Sequence, residues 1–390
     1  MGAFIDMAWQ SLNKYGEELC GDMVQILHIE NSDIAILADG MGSGVKANIL
    51  ATLTTKILGT MLLEGMSIDE CVQTIAKTLP ICKVRDIAYA TFSILQIFKD
   101  GSAYLVEYDN PKCLFIRDGK VVDYSCEERE IEGKNIREYH FNVEIGDCFV
   151  LMSDGVIWAG AGPIMNYGWT WDSVADYTLR HVAETKSAVR LTSLISEACR
   201  DLYIGRPGDD TTVSVVTVRK SKILSIFTGP PKNPGDDEKI MRDFMDSEGK
   251  KVIAGGTTAQ IASRVLGKKI NMTVTHLEGD VPPESSIEGI DLVTEGIVTL
   301  GKALDLLERF DRQDFDGSFF EELDADNGAA KLAKLIIEES TELRFFVGTA
   351  LNEAHTFEGM DFTLSLRSNL IQRLIDVAKR IGRRVSAEYF

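Results

Sequence analysis

The chain has 390 residues, of which 45% are hydrophobic and 26% charged, the balance of an ordinary soluble globular protein and enough length for two domains. Its formal net charge of −19 excludes a general nucleic-acid binder, because neutralising phosphates takes clustered Lys and Arg. No apolar run approaches the roughly 18 residues of a membrane span, so no membrane partner is expected.

The first stretch, MGAFIDMAWQSLNKYGEELCGD, lacks a basic segment followed by an apolar one, and no secretory leader is expected from it. The chain's seven cysteines are an odd number, none in a C-x-x-C pair and all at or before Cys199. That usage fits reduced thiols in a cytoplasmic setting. MVQILHI and DIAILAD, separated by ENSD, read as a β-hairpin. NILATLTTKILGTMLLEG then has helical spacing up to Gly65, and SIDECVQTIAKTL opens on a capping box of Ser67 and Glu70. ATFSILQIFKDGSAYLVEY and CLFIRDGKVVDY each read as two strands about an Asp-Gly turn, at Asp100-Gly101 and Asp118-Gly119. CFVLMSDGVIW supplies another buried strand and SAVRLTSLISEACRDLY another helix. Hairpins with helices outside them predict an α+β layered domain.

TVSVVTVRKSKILSIF reads as two strands, one closing the first domain and one opening the second, and FTGPPKNPGDDEK then breaks the apolar pattern with Pro, Gly and charge. The expected domains are residues 1–220 and 221–390. Beyond the break, ILSIFTG, DEKIMRDFMDSEG, KKVIAGG, TAQIASRVLGK, INMTVTHL and GIDLVTEG alternate strand and helix, and further helical stretches follow. This rhythm predicts a doubly wound α/β domain with a parallel sheet.

Residues 36–47, ILADGMGSGVKA, admit two chemistries. From Gly42 the stretch is G-x-G-x-x-A after a strand, a dinucleotide fingerprint. That reading needs a βαβ unit with an acid closing the next parallel strand, whereas here one helix is followed by another. A P-loop fails as well, since Lys46 follows Val45 and no Gly-Lys-Ser/Thr is present. From Asp39 the stretch is an acid and a glycine at a strand end, which suits a hard cation. The same pattern recurs: Gly21-Asp22 precedes VQILHI, Asp154-Gly155 follows FVLMS, and Asp209-Asp210 precedes TTVSVVTV. Asp39 and Asp154 each end an apolar strand, where an unpaired carboxylate is costly. Carboxylates and backbone carbonyls suit Mg²⁺ or Mn²⁺, and no His or Cys cluster offers a zinc site.

The set GEELCGDM, ILADGMGSGVKAN, FVLMSDGV and GDDTTVSVV resembles the PPM-type metal-dependent protein serine/threonine phosphatases, closest to the branch of the stage II sporulation protein E phosphatase, over residues 8–218. The resemblance implies an α-β-β-α sandwich of two antiparallel sheets. It implies two Mn²⁺ or Mg²⁺ ions bridged by Asp39, with the Gly40 carbonyl on one, Asp154 and Asp209 on the other, and Asp22 as an accessory ligand. Asp209 is preferred to Asp210 because the family pattern puts the ligand first. Asp39, Asp154 and Asp209 would then be the catalytic set, activating a water against a phosphoserine or phosphothreonine of a partner protein. Eukaryotic members hold the phosphate with an arginine near the first acidic motif; here Lys14 is the nearby basic residue. The alternative class is a catalytically silent phosphoprotein-binding module.

In the second domain KKVIAGGTTAQIASRVLG is a strand, a turn at Gly255-Gly256-Thr257-Thr258, and a helix. Its amides and hydroxyls make these four residues the candidate site for a small anion, against the plainer role of helix caps. Expected partners are therefore a phosphoprotein, a small anionic ligand and a second copy of the chain.

Overall fold

The computed structural model describes residues 3–78, 90–162, 164–272, 284–313, 315, 317–350 and 360–390. The chain divides into two compact units, Met1–Lys220 and Ser221–Phe390.

In the first unit β1 (Ala3–Leu12), β2 (Asp22–His28) and β3 (Ser32–Gly40) precede α1 (Gly44–Leu63) and α2 (Ile68–Thr78). Then come β4 (Ala90–Phe98), β5 (Ser102–Tyr108), β6 (Leu114–Arg117), β7 (Lys120–Val121), β8 (Glu127–Ile131), β9 (Lys134–Asn142) and β10 (Cys148–Met152). Helices α3 (Asp154–Ile157), α4 (Trp171–Glu184) and α5 (Ala188–Leu202) lead to the closing strand β11 (Thr211–Lys220). Two antiparallel sheets result, ordered β1-β11-β10-β6-β7 and β2-β3-β4-β5-β9-β8. Their inner faces share one core, in which Leu37, Leu95 and Leu105 of one sheet meet Phe115, Phe149 and Val216 of the other. Ile34, Ile36 and Ile94 point from the opposite face of the second sheet and bury Ala51 and Leu58 of α1 with Val72 of α2. α5 covers β1 and β11 on the far side. Strands buried on both faces explain why DIAILAD reads as a continuous apolar run instead of alternating.

The local signals act as the sequence predicts. Glu70 accepts from the backbone and hydroxyl of Ser67, at 2.9 Å each, closing the capping box. Asp118 and Gly119 both take positive φ, 50° and 70°, the conformation of a two-residue hairpin turn.

The second unit runs β12 (Ile223–Thr228), α6 (Asp237–Asp246), β13 (Lys250–Ala254), α7 (Gly256–Leu266), β14 (Asn271–Met272), β15 (Ser285–Ser286) and β16 (Leu292–Thr294). It continues with α8 (Ile297–Asp311), α9 (Gly317–Leu323), α10 (Gly328–Lys334), β17 (Glu342–Val347), α11 (Met360–Arg380) and β18 (Arg384–Tyr389). The sheet order is β14-β15-β16-β13-β12-β17-β18. From β16 to β18 all neighbours are parallel. The chain thus enters at the centre, winds outward one way, then returns to wind the other, as a doubly wound sheet does. To the expected parallel sheet the fold adds an antiparallel edge, where β14, β15 and β16 pair antiparallel; such pairing needs no crossover helix. Most of the strand expected in INMTVTHL lies outside the described residues. Among the described residues, no helix is long and apolar enough to cross a membrane.

Candidate metal centre

Register places the first two acids. β2 and β3 pair so that Asp22 stands directly opposite Asp39. Like charges directly across a ladder are destabilising, and Asp22 is only 3% exposed. Neither carboxylate oxygen of Asp22 has a hydrogen-bond partner of normal geometry, and Asp210 Oδ2 is likewise buried without one. On the other sheet β10 delivers Asp154 to the start of α3, while β11 begins just after Asp209-Asp210. These two neighbouring strands of one sheet are tied there, since the Ser153 amide donates to the Thr212 carbonyl and the Thr212 amide to the Ser153 hydroxyl.

Electrostatics shows that these acids share one space. Burial, then the charges of Asp22, Asp154 and Asp209, push the Asp39 carboxyl up to about 9. Burial raises Asp22 to about 7; the hydroxyls of Ser153 and Thr212 temper the rise, and Asp210 and Asp154 add to it. Asp154 is raised by burial and by Asp209, against an opposing bond from the Gly155 amide. Burial and the neighbouring Asp22 and Asp210 also push the Cys20 thiol up, which makes it a poor nucleophile.

The glycines beside the acids are needed for close packing. A Cβ on Gly40 would sit 2.1 Å from the Ala47 carbonyl oxygen of α1, and one on Gly155 would sit 2.1 Å from the Asp210 carbonyl oxygen. Both are impossible contacts with backbone. Gly40→Ala is therefore expected to force β3 and α1 apart, costing about 2–3 kcal/mol. A lowered thermal midpoint together with weakened Mn²⁺ binding checks this; an unchanged midpoint contradicts it.

One neighbour of these acids was only half legible. Lys14 Nζ lies 3.3 Å from Asp209 Oδ1, and the Lys14 amide donates to Asp210 Oδ1 at 3.0 Å. The loop after β1 is fixed there by the Tyr15 amide, which donates to the Pro207 carbonyl at 2.8 Å. Sequence nearness to GEELCGDM singles out Lys14, but its tie to residues almost two hundred positions away appears only in the fold. Among the described residues, no three His, Cys, Asp or Glu side chains already stand at closed ligand spacing. The acids converge without closing, as carboxylates that repel one another do. Their chemistry fits a hard divalent cation: oxygen donors only, several buried, two of them unsatisfied.

Of the four anion-site candidates in the second unit, Gly255 caps α7 with φ 126° and Gly256 begins it. The Thr258 hydroxyl instead accepts the Gly229 amide at 2.9 Å, tying the end of β12 to α7. Thr257 stays in the first turn of the helix.

Two antiparallel sheets covered by helices, with carboxylates gathered at their strand ends, make up the α-β-β-α sandwich that the sequence resemblance implies. Residues 31–219, most of the first unit, match the model of the Stage II sporulation protein E (SpoIIE) family. Among solved structures, the PP2C phosphatase domain of the cell-fate determinant SpoIIE from Bacillus subtilis, with a fragment of its regulatory domain, is 21% identical at a TM-score of 0.48, covering 56% of this chain and 64% of that one. The RsbU and RsbW domains of a Mycobacterium tuberculosis protein align at 16% identity and a TM-score of 0.47, over 62% of this chain and 68% of that one. RsbX in complex with magnesium is 20% identical at 0.39, over 55% and 95%. The chain thus spans about two thirds of the first two structures. No curated protein matches the chain.

Proposed function

We propose that residues 1–220 form a metal-dependent protein phosphatase that hydrolyses phosphoserine or phosphothreonine on a regulatory protein. The observation that carries this reading is the pair of the buried Asp22 and the half-buried Asp39, set opposite each other in β2 and β3, with further acids raising their proton affinity. A fold retains such a cluster at a cost that a cation relieves. Two Mn²⁺ or Mg²⁺ ions, held by Asp39, the Gly40 carbonyl, Asp154 and Asp209 with Asp22 in support, would lower the pKa of a bound water and offset phosphoryl charge.

The rest of the work falls to this chain's own residues. Asp39, at the end of a strand buried on both faces, offers its carboxylate from a rigid base. Asp154 holds its place through its first-turn position in α3. Lys14, 3.3 Å from Asp209, sets a positive charge at the rim where a phosphoryl oxygen can meet it. Among the described cysteines, Cys71, Cys113, Cys148 and Cys199 are buried with raised pKa, so the reading requires no phosphocysteine.

The test is phosphate release from a phosphoserine peptide with Mn²⁺, compared with Asp154→Asn. We expect metal-dependent turnover in the parent and loss of about 100-fold or more in the variant. Equal release by the two proteins, or none by either across metal concentrations, contradicts the proposal.

A further inference from the structure

The second unit places the N-termini of two long helices side by side. α7, 11 residues, and α8, 15 residues, both have glycine N-caps, Gly255 and Gly296, and neither cap supplies a side-chain hydrogen bond. The two caps touch: a Cβ on Gly296 would lie 3.7 Å from Gly255 Cα. The Gly255 amide donates to the Thr294 carbonyl at 2.9 Å, which locks the ends of β13 and β16 together. The first helical bonds close at Ala259 and Leu300, so the amides of 256–258 and 297–299 have no partner within their helices.

A second observation points to a ligand. Thr299 is 1% exposed, and its hydroxyl has no hydrogen-bond partner. It is the third residue of α8, on the same side of the helix as the Gly296 cap three residues before it. An unpaired buried hydroxyl therefore stands in the first turn of α8, at a cost of about 1–3 kcal/mol unless something fills its valence. Arg367 adds a cation on the same edge of the sheet. It donates to the Gly348 and Ala350 carbonyls and abuts Gly229, whose amide binds Thr258 of α7. Among the described residues it has no carboxylate partner.

We propose that this junction binds the phosphate group of a small phosphorylated molecule. The amides of both first turns and the Thr299 hydroxyl would coordinate the phosphate, and Glu295 would accept a neighbouring hydroxyl of the same ligand. Glu295 is exposed, and its Oε2 lies 3.7 Å from where a Gly256 Cβ would be. A chain of net charge −19 repels anions at long range, so oriented amides and helix dipoles, not bulk charge, must do the binding. The site lies at the carboxyl edge of a doubly wound sheet, where such folds place ligands. It includes Gly255, Gly256 and Thr257 of the turn, and shifts the weight from Thr258 to α8.

The experiment is equilibrium dialysis of the full chain against radiolabelled inorganic phosphate in EDTA, which keeps divalent ions from drawing phosphate to the first unit. One saturable site is expected, from which ribose 5-phosphate and AMP displace the label. Thr257→Asp, which adds a first-turn carboxylate that helices tolerate, should weaken binding by about tenfold or more, equivalent to roughly 1.4 kcal/mol. Thr299→Val should weaken it several-fold while keeping shape, and decides the matter if the first variant folds poorly. Phosphatase activity should stay at the parent level in both. Binding without saturation, no displacement by either phosphate ester, or affinity unchanged in both variants would overturn the proposal.

Discussion

Asp39→Asn is expected to abolish Mn²⁺-dependent phosphate release and, in the same protein stripped of metal, to raise the thermal midpoint at pH 8. The first effect should be on the order of a thousandfold, the several kcal/mol that a cation's charge stabilisation supplies. The second follows from linkage. Burial and the facing acids lift the Asp39 pKa to about 9 in the folded chain, from an ordinary 3.8. The folded state then binds the proton more tightly than the unfolded state, so metal-free stability declines as pH rises between those two values. Asparagine keeps the shape and removes the titration, so the variant should lose this share of the slope and gain stability at pH 8. Each kcal/mol relieved should appear as about 2–4 °C. Added Mn²⁺ should raise the parent's midpoint, since a ligand that binds only the folded state stabilises it, and should scarcely move the variant's. Thermal unfolding at pH 6 and pH 8, in EDTA and in Mn²⁺, reads all of this. A variant that Mn²⁺ stabilises as strongly as the parent would remove Asp39 from the metal centre.

Arg219→Leu should be the most damaging single change away from that centre. Arg219 and Asp6, on β11 and β1, are 9% and 4% exposed, with Arg219 Nη1 2.7 Å from Asp6 Oδ2. The same oxygen accepts the Ala188 amide at 3.3 Å, at the start of α5. The pair therefore joins the two terminal strands of the unit to the helix that covers them. Removing the cation leaves a buried carboxylate, at a cost of about 3–5 kcal/mol, or roughly 10 °C in midpoint. Adding Asp6→Leu should recover most of the loss, because two apolar residues replace a broken pair. If the double variant is no more stable than the single one, the damage comes from lost packing and not from the stranded charge.

The sequence carried the elements and the acids, but not their pairing. Strand runs, the Ser67 cap and the Asp118-Gly119 turn are set by neighbours within a few residues, and these were legible. Asp39 was legible too, because an acid that ends a fully apolar strand breaks a local rule. That it faces Asp22 depends on the register of β2 against β3, which a hairpin reading leaves open. Lys14 reaches Asp209 and Asp210 only because β1 pairs with β11. Glu107 was missed altogether. It is fully buried, accepts the Cys113 amide and the Tyr139 hydroxyl, and lies 3.3 Å from Arg137, yet in sequence it is one polar residue in YLVEY. The junction of the α7 and α8 caps was half legible: glycines mark the turn after β13, but only the parallel sheet brings the second helix alongside.

The pairing of Ala3–Leu12 with Thr211–Lys220 also has a consequence for biosynthesis. The strand Ala3–Leu12, synthesised about 200 residues before Thr211–Lys220, lies beside it in the sheet. At about 5–20 residues per second, it waits roughly 10–40 s for that partner. Until then AFIDMAWQSL is an unpaired apolar edge, open to self-association and to chaperones. Expression of a fragment trimmed to residues 31–219 would make that wait permanent for β11, and would discard Asp22 with β2. Fragments for activity work should therefore keep both β1 and β2.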